Sequence, residues 1–141
     1  MLALEIIEIK AMMSKLLKES TFDDFNLKKL SINSFAYLEI SETAEPCNWA
    51  NIKPVALAFI QGKQRPSSMH FVLKKDANDV GLDGASSAYI TIKFEDGRMI
   101  VTSGVAMNIS SFELNIQNTG LWNEWIKNFL NTNGIEYSKL N

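Results

Sequence analysis

The dipeptide Asp96-Gly97, set between two runs of alternating apolar and polar residues, constrains the fold of this chain most. A two-residue type I′ turn needs positive φ at both central positions, and Asp-Gly adopts that conformation readily. The runs Ala88–Glu95 and Met99–Met107 are therefore predicted to form an antiparallel hairpin. Its register would pair Phe94 with Met99, Ile92 with Val101 and Ala88 with Val105. All of these residues fall on one face, so the hairpin is predicted to bury that face in a core.

Four more segments have the composition or the alternation of strands. They are Leu30–Ile40, Ile52–Gln61, Met69–Lys75 and Ser111–Gln117. Ile52–Gln61 is apolar on both faces, which favours a central strand, with Pro54 near its start because proline cannot donate to the ladder. Phe35 and Tyr37 fall opposite the main apolar face of Leu30–Ile40, so they cover a second small cluster or form an exposed patch.

Two segments have the apolar spacing of three and four residues that is typical of amphipathic helices. Ile7–Lys18 is the first, and Leu2–Ile6 before it is either a short strand or the start of this helix. The second is capped by Asn118 or Thr119, and Gly134 ends it as a C′ glycine.

Together these elements predict an α+β fold in a single domain spanning residues 1–141. The sheet would be a curved meander of about six mostly antiparallel strands, packed with an N-terminal and a C-terminal amphipathic helix. With 46% apolar residues, a chain of 141 residues can bury a core without disulfides.

Composition bounds the cellular context. The formal net charge of −2 argues against a protein that coats nucleic acid with its whole surface. The single cysteine, Cys47, fits a reducing compartment. The N-terminus lacks the basic lead of a signal peptide, and the longest apolar run, Val55–Ile60, is far shorter than the roughly 20 residues of a membrane span. A cytoplasmic protein without a membrane segment is expected.

The stretch Cys47–Lys75 contains no Asp or Glu but five cations, and we call it the basic stretch. Its cations are Lys53, Lys63, Arg65, Lys74 and Lys75. The candidate residues for binding an anion are Lys63, Arg65, Lys53, Trp49 and Gly62, centred on a predicted turn at residues 62–66 between two strands. A hairpin loop that needs glycine for its geometry and charge for its solubility explains the same residues.

No catalytic residue, metal site or cofactor is predicted. The Gly-Lys of residues 62–63 lacks the Ser or Thr of a Walker motif. One histidine, His70, and one cysteine cannot build a zinc site of the usual type, and neither has an evident catalytic partner. The loop from Asp76 to Ser87 has only part of a calcium-loop pattern, because Ser87 stands where the bidentate Glu is needed.

The chain resembles an uncharacterised family of bacterial proteins, found mainly in Firmicutes and known as a domain of unknown function. The similar parts are the Leu4–Leu17 pattern, residues 21–25 (Thr-Phe-Asp-Asp-Phe), Trp49 with Lys53-Pro54, and residues 60–66. The family usually has Lys at the position of Gln61, so this turn is less basic than the family pattern. The resemblance implies a cytoplasmic bacterial protein and no activity, cofactor or catalytic residue.

These observations favour a non-catalytic binding module that contacts a protein partner or a small anionic ligand near Trp49 and residues 62–66. The alternative is a nucleic-acid-associated protein whose basic stretch contacts phosphates. An enzyme is the third hypothesis, and it needs a polar pocket that joins His70 to a carboxylate. Edge strands and exposed aromatic residues make a homodimer plausible.

Overall fold

The computed structural model describes residues 2–60 and 65–140. In chain order its elements are β1 (Ala3–Ile6), α1 (Ile9–Leu17), β2 (Asn26–Asn33), β3 (Tyr37–Ser41), α2 (Trp49–Ile60), β4 (Ser68–Asp76), a 3-10 helix (Ala77–Val80), β5 (Ala85–Glu95), β6 (Arg98–Met107), α3 (Phe112–Thr132) and β7 (Tyr137–Lys139). None of the helices within these residues is long and apolar enough to cross a membrane.

The described strands form one open sheet with the order β3-β2-β4-β5-β6-β1-β7, and every neighbouring pair is antiparallel. The predicted α+β class is confirmed, with seven strands where about six were expected. The count differs because two predicted strands are helical, one predicted strand is a hairpin of two, and two short terminal strands are present. β1 precedes the first helix, β7 follows the last one, and they pair with each other at one edge of the sheet.

The hairpin predicted from Asp96-Gly97 is confirmed in its turn and its register. Asp96 has φ 54° and Gly97 has φ 74°, as a type I′ turn requires. The predicted partners are paired: Phe94 with Met99, Ile92 with Val101, and Ala88 with Val105. A two-residue turn leaves no slack in the register, which is why the local sequence was sufficient.

The prediction of a strand over Ile52–Gln61 is wrong, because residues 49–60 form α2. A short apolar run fits a buried strand and a helix equally well. Asn48 begins the helix, since its side-chain Oδ1 accepts a hydrogen bond from the Ala50 N–H at 3.0 Å. Pro54 lies in the second turn and removes only one intrahelical hydrogen bond. The basic turn predicted between two strands therefore follows a helix instead.

The single strand predicted over Leu30–Ile40 is also wrong, because the chain reverses near Phe35 to form the β2–β3 hairpin. The predicted apolar face survives. Leu30 pairs with Ile40 and Ile32 with Leu38, so residues of equal parity stay on one face across the turn. Phe35 and Tyr37 are 64% and 60% exposed, and the Phe35 ring stacks on Phe59 of α2 at 5.4 Å.

The strand predicted at Ser111–Gln117 belongs to α3 instead, so the predicted cap at Asn118 or Thr119 is wrong as well. Ser111 is the N-cap, and its Oγ accepts a hydrogen bond from the Leu114 N–H at 3.3 Å. Asn118 is buried inside the helix, where its Nδ2 donates to the Asp83 carbonyl at 2.7 Å. This hydrogen bond between distant segments of the chain satisfies the amide of Asn118, so the residue can be buried in the core.

The three helices and one face of the sheet share a single hydrophobic core. From α3, the apolar residues Trp122, Ile126 and Leu130 are fully buried, and Trp122 Nε1 donates to the Tyr89 carbonyl at 2.7 Å. The predicted closure of the interior by the C-terminal helix is therefore observed. The opposite face of the sheet carries polar residues such as His70 and Lys93, which are cross-strand neighbours.

Two glycines of α3 and its end should respond oppositely to alanine. Gly134 has φ +70° in a Schellman ending, in which the Ile135 N–H donates to the Leu130 carbonyl at 2.9 Å. Gly134→Ala is expected to lower the free energy of unfolding by about 1 kcal/mol. Gly120 lies inside the helix, and an added Cβ would meet nothing within 4 Å. Gly120→Ala is therefore expected to raise it by about 0.5–1 kcal/mol. Urea unfolding measures the stability of both variants. A change of the same sign in the two variants would contradict the placement of Gly120 inside α3 and of Gly134 at its end.

Candidate functional site

The cations of the basic stretch do not form one surface. Lys74 and Lys75 are successive residues of β4, so their side chains leave opposite faces of the sheet. Lys74 forms an ion pair with Glu42. Lys75 Nζ lies 4.8 Å from the centroid of the Phe25 ring and 5.7 Å from that of Trp125, as in a cation–π contact. The structure therefore does not bring these two cations together toward one anionic partner.

The other candidates of the basic stretch also differ in their surroundings. Lys53 Nζ contacts Asp23 Oδ1 at 2.6 Å and the Glu19 carbonyl at 2.9 Å. Trp49 is 0% exposed, and its Nε1 donates to the Leu16 carbonyl at 2.8 Å. Both side chains tie α2 to the segment that ends α1, which is a structural role. Gly62 and Lys63 lie outside the described residues, so their predicted role stays a prediction.

Arg65 is exposed and lies beside a pocket of about 530 Å³ on the core side of the sheet. The pocket lies between α1, the second half of α2, the start of β4 and the β5–β6 turn. Its lining residues are Ile9, Lys10, Met13, Ser14, Leu17, Lys18, Leu57, Ile60, Arg65, Pro66, Met69, Phe94 and Gly97. Pockets that hold small molecules are usually of this size, mostly apolar, with a few polar groups that fix the ligand.

Two parallel stripes of α1 build one wall of this pocket. Ile9, Met13 and Leu17 recur every four residues and supply its apolar surface. Lys10, Ser14 and Lys18 follow one position later, so they form a polar stripe about 100° further around the helix. The cross-strand neighbours Met69 and Phe94 add apolar surface from the sheet.

The pocket has a basic rim that nothing in the described part of the chain neutralises. Lys10, Lys18 and Arg65 make no ion pair there, and the lining contains no Asp or Glu. Neighbouring lysines differ, since Lys15 pairs with Glu19 at 3.4 Å and Lys53 with Asp23. The Ser14 hydroxyl also donates to Glu19, at 3.1 Å, so this carboxylate stands just outside the pocket. As far as the structure describes the chain, Lys10, Lys18 and Arg65 are thus available to a ligand.

His70 and Cys47 lie away from this pocket. Burial lowers the pKa of His70, and the charges of Lys93 and Lys29 act in the same direction. No carboxylate hydrogen bond orients this imidazole among the described residues. Within residues 2–60 and 65–140 no group of three His, Cys, Asp or Glu could hold a metal ion.

Of the charged residues that line this pocket, the sequence analysis named Arg65 as a candidate but not Lys10 or Lys18, and it did not predict the pocket. The apolar spacing of α1 was read as one stripe facing the core. Met12 and Leu16 do face the core and are 0% exposed, whereas Ile9 and Met13 are only half-buried. A lysine stripe adjoining an apolar stripe was the available signal. This signal does not predict a pocket by itself, because the opposite wall is formed by α2, which the sequence analysis predicted as a strand.

Comparison with protein-family models matches residues 36–138 to DUF5721, which is described as a family of unknown function. No curated protein matches the chain, and no solved structure does. The match runs from β3 into β7, and it therefore includes Arg65 but not the α1 wall of the pocket.

Proposed function

The chain belongs to the DUF5721 family of unknown function, and we propose that it is a non-catalytic module that binds a small anionic ligand with an apolar body. The observation that carries this proposal is the apolar pocket with three cations on its rim that form no ion pair within residues 2–60 and 65–140. Of the two partners expected from the sequence, a protein or a small anion, the pocket favours the small anion. Its concave shape and its volume suit a molecule that it can largely enclose.

The apolar part of the ligand would supply most of the binding free energy. Leu57 and Ile60 on α2 stand across the pocket from Ile9 and Met13 on α1, and all four are only partly buried. A hydrophobic ligand body removes this surface from water, which contributes about 25 cal/mol for each Å² of apolar area. A fully polar anion such as inorganic phosphate would gain none of this contribution.

The charged part of the ligand would be set by the rim. Lys10, Lys18 and Arg65 favour an anion electrostatically, and a cationic ligand would be repelled at the same distance. Arg65 can pair with a carboxylate or phosphate through two parallel N–H donors. Because all three side chains reach solvent, each is expected to contribute modestly and less at high salt.

We propose no reaction for this pocket. Its described lining contains no Asp, Glu, His or Cys that could act as a base or a nucleophile.

The nucleic-acid alternative has less support, because Lys53 and Lys74 are paired with carboxylates while Lys74 and Lys75 face opposite ways. We also propose that the protein comes from a bacterium of the Firmicutes and lies in its cytoplasm. Fractionation of the source cells would test the location.

Three ligands of equal chain length and different head groups test this function. We expect isothermal titration calorimetry to show binding of decanoate. Decyltrimethylammonium should bind at least about tenfold more weakly, because the rim cations attract a carboxylate and repel an ammonium group. Uncharged decanol is expected to fall between them. Raising the salt concentration should weaken decanoate and spare decanol. Equal affinity for the anionic and cationic ligands, or no binding of decanoate, would contradict the proposal.

A further inference from the structure

We infer that the ligand has one oxyanion head, held between Lys10 and Arg65, and an apolar tail that runs along α1 toward Lys18. This inference rests on the proposed function and adds the direction in which the ligand lies. It follows from the positions of the three cations along the pocket, which the contacts of α2 and the strand pairings of the sheet establish.

The first step is that α1 and α2 run in opposite directions. Trp49, the first residue of α2, donates to the Leu16 carbonyl near the end of α1. At the other end of α2, Phe59 stacks on Phe35 between β2 and β3, and this end lies beside the start of β4 because Asn33 pairs with Ser68. Leu57 and Ile60 come later in α2, so they lie back along α1 toward its first turn. Ile60, the last residue of α2, therefore lies near the N-terminal end of α1.

The register of the sheet gives the same result independently. β1 pairs Glu5 with Ile100, so the chain approaching α1 lies level with the β5–β6 turn, where Gly97 lines the pocket. β4 pairs Ser68 with Glu95 next to this turn. Arg65, three residues before Ser68, is thus at the same end of the pocket as the first turn of α1 and its Lys10.

Lys10, in the first turn of α1, and Lys18, its C-cap residue, cannot be treated as one site. Lys10 and Lys18 are eight residues apart, which is about 12 Å along a helix axis. The apolar stripe of Ile9, Met13 and Leu17 spans the same length beside them. Among the described residues, one end of the pocket therefore has Lys10 and Arg65, and the other has Lys18. Glu19, next to Lys18, further lowers the attraction of that end for an anion.

Charge-removing variants test this direction in the full chain. Lys10→Gln and Arg65→Gln should each weaken decanoate binding by about three- to fivefold, and the double variant by about tenfold or more. Lys18→Gln should weaken it by less than about twofold. Lys15→Gln, on the same helix but paired with Glu19, is the matched control and should have no effect. All four side chains are at the surface, and circular dichroism confirms that each variant is folded.

The outcomes separate this inference from the proposed function. If decanoate does not bind the unmodified protein, both fail. If it binds and Lys18→Gln weakens it as much as Lys10→Gln or Arg65→Gln does, the proposed function stands and the direction is overturned. The same ranking is expected with decyl phosphate, since both ligands have a single oxyanion head. A different ranking with decyl phosphate would also overturn the shared head position.

Discussion

Replacing Trp49 with alanine is expected to lower the free energy of unfolding by about 3–5 kcal/mol, the largest effect of any single substitution considered. Trp49 is fully buried and packs edge-on against Phe71 with 5.7 Å between ring centroids. Alanine would leave a cavity between α2 and the sheet. It would also remove the donor to the Leu16 carbonyl, at the end of α1. Urea unfolding followed by far-UV circular dichroism measures the change.

Trp49→Phe provides the control for this prediction. It keeps an aromatic six-membered ring but loses the rest of the indole together with its Nε1 hydrogen bond, so a smaller cost of about 1–2 kcal/mol is expected. Neither residue change alters the lining of the pocket, because Trp49 is not part of it. Decanoate affinity should therefore be unchanged in Trp49→Phe. An alanine variant as stable as the natural protein would contradict the buried position of this indole.

Filling the pocket is expected to have the largest effect on binding. Met13 is half-buried on the α1 wall, and a tryptophan there would occupy part of the 530 Å³ that the ligand needs. We expect Met13→Trp to weaken decanoate binding by about tenfold or more, because the ligand would lose its apolar contacts. The effect should be the same for decanol, since it arises from shape and not from charge.

Ala11→Trp is the matched control for the filled pocket. Ala11 is exposed on the same helix and does not line the pocket, so the same side chain is added outside. Its decanoate affinity should equal that of the unmodified protein, and the unfolding midpoint of both variants shows that α1 is intact. Unchanged decanoate affinity in Met13→Trp would rule out this pocket as the binding site.

Where the sequence prediction succeeded, the determining interactions are close in the chain. The Asp96-Gly97 turn fixes both φ angles and the register of β5 with β6. Gly134 ends α3 because a residue without Cβ adopts positive φ readily. The hairpin of β2 and β3 was missed, yet its apolar face was right because parity is conserved across the turn. Local rules were therefore sufficient for faces and turns.

The errors have a different origin. The segment Trp49–Ile60 has apolar residues on every side, so its period does not distinguish helix from strand. What distinguishes them is the set of partners that the rest of the fold supplies. Trp49 and Lys53 donate hydrogen bonds to the carbonyls of Leu16 and Glu19, and these bonds hold α2 beside the C-terminal end of α1. The misassignment of Ser111–Gln117 is of the same kind, since Asn118 is buried against Asp83, 35 residues earlier.

By itself, the sequence determined the α+β class, the central hairpin, and the two amphipathic helices, because periodicity and turn chemistry act over a few residues. Only the tertiary structure decided which cations are free. Lys53, Lys74 and Lys75 have partners that are distant in sequence, whereas Lys10, Lys18 and Arg65 lie along the rim of an apolar pocket and form no ion pair among the described residues. Free charge depends on what folding brings within about 4 Å of each side chain, and no local pattern encodes that distance.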